Sequence, residues 1–255
     1  MTLAALDAGI LGPAFIAGLL VLLTHVPLGC QVLGRGIVFI DLAIAQIAGL
    51  GVIAADVLDL GEGGWAVQVS AVSAALLGAL VLTWTEKRWP EIQEALIGVL
   101  FVLASCAGLV LLAGNPHGGE HLRDLLVGQI LWVGETQLWA MACVTAAIGL
   151  LWQLGGAFRQ HRLFFHAVFA LAVTASVQLV GVYLVFACLI VPALATRGLD
   201  GLRRMVAGYL LGALAFVVGL ALSALADLPA GAVIVLGMAA LALPAALLAR
   251  RWIRC

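Results

Sequence analysis

Two histidines and a carboxylate lie within five residues of one another near the middle of the chain, in the segment GNPHGGEHLRD at 114–124. They are His117, Glu120 and His121. Imidazole and carboxylate groups together suit zinc, and also manganese or iron. The glycines between them let the backbone fold these side chains onto one ion. The spacing therefore predicts a divalent-metal site, with a polar loop that binds no ligand as the alternative.

The same three residues spell H-x-x-E-H, a zinc-protease motif in which a helix sets both histidines on one face. Here Pro116 and two glycines precede Glu120, and this composition disfavours a helix. A membrane metalloprotease is therefore a minor alternative.

A second candidate lies inside a hydrophobic run. Asp41 stands several residues into an apolar stretch, where an ionisable side chain is costly and indicates function. The alternative is a carboxylate near the membrane surface that pairs with Arg35 or caps a broken helix. Gln46 follows on the same predicted helix, about 140° away, and it either lines the path or hydrogen-bonds to a neighbouring helix. We place Asp41 and Gln46 on a candidate substrate pathway.

The composition shows what kind of protein must position these residues. Of the 255 residues, 65% are hydrophobic and 10% are charged, whereas soluble domains are about 45–50% apolar and about 25% charged. A lipid bilayer is the solvent that tolerates this excess. The formal net charge of −1 argues against a nucleic-acid partner. The 5 cysteines include no CxxC pair, which indicates neither a disulfide framework nor a thiolate metal site.

Polar interruptions divide the chain into nine candidate membrane spans, since a helix needs about 20 residues to cross the hydrocarbon core. The spans are Ile10–Val32, Gly36–Leu58, Trp65–Thr85, Ile92–Ala113, Glu135–Leu154, Leu163–Val180, Val182–Ala195, Met205–Leu225 and Ala230–Ala249. The sixth and seventh are nearly continuous, and their break is placed near Gly181. The expected fold is all-α, a polytopic membrane protein with about 8–9 transmembrane helices, in which residues 1–255 form a single transmembrane domain.

Basic residues set the expected orientation, because they accumulate on the cytoplasmic side. If nine spans alternate, all of the 12 lysines and arginines except Arg123 fall on one side. The opposite side collects acidic residues, namely Asp7, Asp59, Glu62, Glu120, Asp124 and Asp227. We therefore expect a cytoplasmic C-terminus and an outer His117 segment. The charged turn from Glu86 to Glu94 is expected to be a solvated face, and His25 a satisfied core histidine.

Five segments, in chain order, resemble the permease subunits of the zinc/manganese/iron uptake ABC transporter family, the ABC-3 type metal permeases. They are RGIVFIDLAIAQIAGLGVIA at 35–54, EALIGVLFVLASCAGLVLL at 94–112, DLLVGQILWV at 124–133, GVYLVFACLIVPALATR at 181–197 and DLPAGAVIVL at 227–236. Asp41 matches the family's aspartate near the start of the second span. The family usually has a histidine four residues later, where this chain has Ala45.

The resemblance implies a permease subunit that works as a homodimer in a bacterial inner membrane. An extracytoplasmic metal-binding protein would deliver zinc, manganese or iron, and a cytoplasmic ATP-binding subunit would supply the energy. The chain would then be no enzyme and would hold no permanent cofactor, since the divalent metal is its cargo. The resemblance also implies an ATPase coupling contact at Arg159 and Arg162.

The loop that holds these arginines, GGAFRQHR at 155–162, is shorter than the family's coupling segment. Its length favours an alternative, an ATP-independent metal transporter or channel. No P-loop occurs in the sequence, so ATP hydrolysis would require another chain. Histidine and carboxylate ligands do not separate zinc from manganese or iron(II) by affinity alone.

Overall fold

The computed structural model describes residues 8–58, 64–112, 126–156 and 161–252, with side chains described from 9 to 245. These residues form nine α-helices, two short 3-10 turns (Pro90–Ile92 and Ile130–Trp132) and no β-strand. In chain order the helices are α1 (Ala8–Arg35), α2 (Ile40–Val57), α3 (Gly64–Arg88), α4 (Gln93–Leu112), α5 (Glu135–Leu154), α6 (Arg162–Val180), α7 (Val182–Ala195), α8 (Gly201–Ala226) and α9 (Ala230–Trp252).

Each predicted span corresponds to one helix, and the all-α polytopic fold is confirmed. Among the described residues, 7 helices are long and apolar enough to cross a membrane, while α7 and the apolar part of α9 are shorter. The second helix begins at Ile40 and not at Gly36 as predicted. Gly36 has a φ of +72°, and a left-handed residue directly after a helix ends it.

A single residue, Gly181, separates α6 from α7, as the sequence predicted. Its φ is +80°, a conformation that glycine adopts without steric cost. A Cβ at this position would overlap backbone atoms of Val127 and Gly128. The two stretches of backbone therefore cross in close contact, and they do so where both are glycine.

Two helices form the centre of the bundle. The first, α1, packs against α5, α7 and α8, and the second, α2, packs against α3, α4 and α6. Close approach depends on missing side chains, because a Cβ at Gly29 would overlap the carbonyl oxygen of Leu189 and one at Gly51 would lie 2.7 Å from that of Ser70. Small residues at helix interfaces are expected where lipid removes the hydrophobic driving force between helices.

The two ends of the bundle differ in charge. Arg35, Glu86 and Arg162 lie together at one end, which we call the inner end because basic residues favour the cytoplasmic side. Asp56 and Gln178 lie at the opposite, outer end. The absolute orientation stays a prediction. Exposed tryptophans near helix ends form the pattern of membrane-interface belts, and they are Trp65, Trp84, Trp132 and Trp139.

Candidate functional site

Asp41 is the buried acidic group of the predicted pathway. It lies in the first turn of α2 with 0% of its side chain exposed. Neither carboxylate oxygen has a hydrogen-bond partner among the described residues. The helix dipole favours a negative charge at this position, yet a buried carboxylate without a partner is costly. A cation that binds there would offset this cost, which makes Asp41 a candidate cation-binding residue.

The alternative explanation for Asp41 was an ion pair with Arg35. The Arg35 guanidinium instead stacks on the ring of Phe165, with its central carbon 4.0 Å from the ring centroid, and Asp41 accepts no hydrogen bond from it. Asp41 and Arg35 therefore form no ion pair in the described part of the chain.

Gln46 occupies a different place from Asp41. It lines a crevice of about 10 Å³ between α2 and α4, together with Ser105, Gly108 and Val182. Asp41 does not line this crevice. The structure therefore places the two predicted pathway residues on one helix but on different sides of it, as their 140° separation indicated.

Four side chains from α1, α3 and α6 form an inner charge cluster, which we define as Arg35, Glu86, Arg162 and His166. Arg162 Nε lies 3.4 Å from Glu86 Oε1, and its Nη1 donates to the Glu86 carbonyl oxygen at 3.0 Å. His166 Nε2 lies 3.6 Å from Glu86 Oε2. The cluster therefore joins the first residue of α6, which follows the short 155–161 loop, to the end of α3.

Thr83 fixes the ring of His166 within this cluster. Its hydroxyl donates to the Ala79 carbonyl oxygen at 2.7 Å, so its oxygen is left to accept a hydrogen bond from His166 Nδ1, at 2.8 Å. His166 is 1% exposed, and its other nitrogen points toward Glu86. The ring is thereby held in one orientation at the junction of α3 and α6.

The inner charge cluster was missed from the sequence. The predicted solvated turn is wrong for Glu86, whose side chain is 16% exposed and is paired with Arg162. It is also wrong for Glu94, which accepts a hydrogen bond from the Phe39 amide at 3.1 Å. A signal was present, because Thr83 and Glu86 are three residues apart and share one face of a helix. His25 hydrogen-bonds through Nδ1 to Thr24 and Val21 within its own helix. Its Nε2 is buried with no hydrogen-bond partner among the described residues, so the prediction of a satisfied core histidine is wrong for that nitrogen.

A cavity of about 400 Å³ lies at the outer end. Residues of α2, α3, α4, α5, α6 and the 129–133 segment line it. Its polar lining residues include Asp56, Gln129, Gln137 and Gln178. The cavity therefore offers carboxylate and amide oxygens near the outer ends of α2 and α6.

His117, Glu120 and His121 lie outside the described residues, as does Arg159. Within the described ranges, no group of three or more histidine, cysteine or acidic side chains is arranged to hold a metal ion. The predicted outer metal site therefore stays a prediction.

Comparison with known proteins finds two transport proteins of similar length. The manganese transport system membrane protein MntC of Halalkalibacterium halodurans is 27% identical, over 88% of this chain and 82% of that protein. The high-affinity zinc uptake system membrane protein ZnuB of Haemophilus influenzae is 24% identical, over 89% of this chain and 93% of that protein.

The fold also matches a solved structure. The structure of PsaBC from Streptococcus pneumoniae in complex with Fab aligns with a TM-score of 0.76 at 24% identity, over 96% of this chain and 95% of that one. The profile of the ABC 3 transport family matches residues 7–155 and 154–249. The resemblance carried by the five sequence segments is confirmed, and the chain belongs to the ABC 3 transport family.

Proposed function

We propose that this chain is the membrane-spanning permease subunit of a divalent transition-metal ABC importer in a bacterial inner membrane. The observation that carries the proposal is the buried, unpartnered carboxylate of Asp41 in a member of a transport family. The similar proteins MntC and ZnuB are named for manganese and zinc. Iron is included among the proposed substrates because the five sequence segments resemble a zinc/manganese/iron uptake family. The metal is the substrate, and residues 1–255 form a single transmembrane permease domain.

Asp41 and Gln46 lie on the proposed substrate pathway. Asp41 supplies charge in the low-dielectric core, where a divalent cation gains most from a carboxylate. Gln46 supplies an amide oxygen in the crevice between α2 and α4. Ala45 occupies the position where the family usually has a histidine. The Asp41 carboxylate therefore contributes more of the metal binding in this chain.

The outer segment with His117, Glu120 and His121 is proposed as a transfer site for the metal. The support is its attachment, because Leu112 and Gln129, which flank the segment in the chain, both line the outer cavity. Ions released from an extracytoplasmic metal-binding protein would pass this segment first. A transfer site must bind weakly, since tight binding slows release.

A cytoplasmic ATP-binding subunit is the proposed source of energy, and the permease is proposed to act as a homodimer. The coupling contact is placed at Arg159 and Arg162. Support comes from Arg162, which is bonded to both the side chain and the backbone of Glu86. A push on the 155–162 loop would therefore reach α3 directly. Through this link, movement of the short loop would be transmitted to the helices of the bundle.

Membership of an ABC transport family favours an ATP-driven importer over an ATP-independent transporter, and metal transport over a membrane protease. The short 155–162 loop is the feature that favours ATP-independent transport. Metal uptake into vesicles that hold the purified chain alone, without nucleotide, would support that second candidate.

The proposal is tested by Asp41→Asn, which keeps the side-chain shape and removes the charge. Cells that express the chain with its native ATP-binding and metal-binding subunits would be assayed for uptake of radioactive Mn²⁺ and Zn²⁺. Uptake by Asp41→Asn should fall to background, because the buried amide no longer offsets a divalent charge. Asp200→Asn is the matched control, since Asp200 is exposed. Normal uptake by a well-expressed Asp41→Asn variant would make Asp41 a structural residue.

A further inference from the structure

The outer cavity is large enough for a hydrated ion. Its volume is about 400 Å³, whereas a divalent ion with six first-shell waters needs about 200 Å³, at about 30 Å³ for each water. The cavity therefore has room for an ion together with its first hydration shell.

The charge that lines this cavity is that of Asp56, since the other described polar lining residues are neutral glutamines or tryptophan. Two of the amides are already engaged. Gln178 Oε1 accepts from Gln68 Nε2 at 2.6 Å, and Gln137 Oε1 accepts from the Gly134 amide at 3.0 Å. The first bond joins α3 to α6, and the second is local to the start of α5. Attraction of a cation therefore falls mainly to Asp56.

The cavity continues toward Gln46 along one face of α2. Gln46, Gly49, Ile53 and Asp56 are spaced by three, four and three residues, which places them on one side of a helix. Ile53 lines both the outer cavity and the crevice that holds Gln46. Ile53 is therefore the common wall of the two spaces.

Ile53 also closes the connection. Its side chain is 5% exposed, and its Cδ1 lies 3.3 Å from the position that a Cβ on Gly108 of α4 would occupy. Ile53 therefore fills the space that a side chain at position 108 would occupy. An apolar side chain that separates the outer cavity from the crevice of Gln46 is the arrangement of a hydrophobic constriction.

We infer that the outer cavity is the entry chamber for a hydrated divalent cation. Asp56 is the carboxylate that attracts the ion, and Ile53 is the constriction between the chamber and the Gln46 crevice. The inference rests on the proposed metal-transport function and adds a second, outer carboxylate to the path.

The charge of Asp56 is tested with Asp56→Asn, with Glu135→Gln as the control. Glu135 is an exposed carboxylate at the same end that does not line the cavity. We would measure Mn²⁺ uptake by cells that hold the complete transporter, and Mn²⁺ binding to the purified full chain by the loss of the free-ion paramagnetic resonance signal. Asp56→Asn should raise the half-maximal Mn²⁺ concentration about tenfold in both assays, because one carboxylate concentrates the ion locally. The maximal uptake rate should not change, and raised salt should shrink the difference.

The two assays separate the inference from the proposed function. If Asp41→Asn transports normally while Asp56→Asn shifts Mn²⁺ binding, the entry chamber stands and the proposed pathway at Asp41 fails. If Asp56→Asn and Glu135→Gln match the unmodified chain in both assays, the chamber does not bind the ion and the inference is overturned.

The constriction is tested separately by accessibility. Gln46→Cys would be placed in a chain whose 5 cysteines are replaced by alanine, and a membrane-impermeant thiol reagent would be added from outside. Ile53→Ala should speed labelling severalfold, whereas Ile37→Ala, at an equally buried position that lines neither space, should not. Equal labelling rates in chains with and without the Ile53→Ala substitution would exclude Ile53 as the barrier.

Discussion

The inner and outer ends of this bundle are held together by different interactions. At the inner end, α1, α3 and α6 meet through charged and polar side chains, with Glu86 between Arg162 and His166. At the outer end, Gly181 lies directly against the backbone of Gly128. Ion pairs tolerate small changes of distance, whereas backbone contact without side chains does not. This difference indicates that the inner end can rearrange and that the outer crossing is a fixed point.

The same difference fits a permease in which force arrives from the cytoplasmic side. A loop that pushes on Arg162 acts on an electrostatic contact that can loosen and re-form. The crossing at Gly181 separates α6 from α7, so it can serve as the pivot about which the two helices move. Three sets of variants test the contrast between the two ends.

The largest effect is expected at the outer crossing, from Gly181→Ala. The new Cβ would overlap the backbone of Gly128, and φ is +80°. A positive φ costs about 1–2 kcal/mol and steric overlap about 1–3 kcal/mol, so unfolding free energy should fall by about 2–5 kcal/mol. Gly36→Ala is the matched control, because its φ is +72° but nothing lies within 4 Å of the new Cβ. It should lose only about 1–2 kcal/mol.

Thermal unfolding in detergent would compare the two glycine variants. Both positions have a positive φ, so the difference in stability loss between the two variants measures the effect of the close backbone contact at Gly181. Equal losses of stability at Gly181 and Gly36 would mean that the outer crossing can relax and is no fixed point.

A smaller effect is expected at the inner end, from Glu86→Gln. The change removes the charge between Arg162 and His166, and unfolding free energy should fall by about 1–2 kcal/mol, since Arg162 is 45% exposed and water screens the pair. If the proposed coupling contact is correct, the rate of ATP-dependent metal uptake should also fall, because the proposed link from the 155–162 loop to α3 is weakened. Glu91→Gln, at an exposed position in the same turn, should change neither quantity. If Glu86→Gln leaves ATP-dependent uptake unchanged, the inner charge cluster does not transmit movement from the 155–162 loop to α3.

The smallest effect is expected from Thr83→Val, which removes the hydrogen-bond acceptor of His166 Nδ1. Polar contacts between membrane helices contribute about 0.6 kcal/mol on average, and a loss of that size is expected in detergent unfolding. Thr85→Val is the control, because Thr85 is buried on the same helix and its hydroxyl donates to the Leu82 carbonyl oxygen of that helix. A larger loss at Thr85 than at Thr83 would contradict the role given to His166.

Much of the architecture was predictable because a bilayer imposes simple rules. Apolar runs of about 20 residues are helices that span, and each of the nine predicted spans is present. The break near Gly181, between two nearly continuous apolar spans, was also predicted and is present. The start of α2 was placed four residues early at Gly36, because hydropathy does not register a positive φ in an otherwise apolar stretch.

The candidate site was predicted less completely. Asp41 was identifiable because a carboxylate in an apolar span is unusual by itself. Glu86 and His166 were not, because each lies near the end of a span, where charged residues are ordinary. The outer cavity was also missed, since Asp56, Gln137 and Gln178 belong to three different helices and their spacing in the chain carries no common period.

The sequence by itself determined that this protein lies in a lipid bilayer, where its helices lie along the chain, and that it belongs to the ABC 3 family. These features depend on hydropathy, span length and local motifs, which are properties of neighbouring residues. Tertiary structure alone decided which polar groups meet. Asp41 is buried without a hydrogen-bond partner among the described residues while Arg35 stacks on Phe165, and Glu86 is paired with Arg162, which lies far along the chain. Such pairings depend on how the helices are rotated and crossed. Close contacts at glycines, such as Gly29 against Leu189, determine that packing.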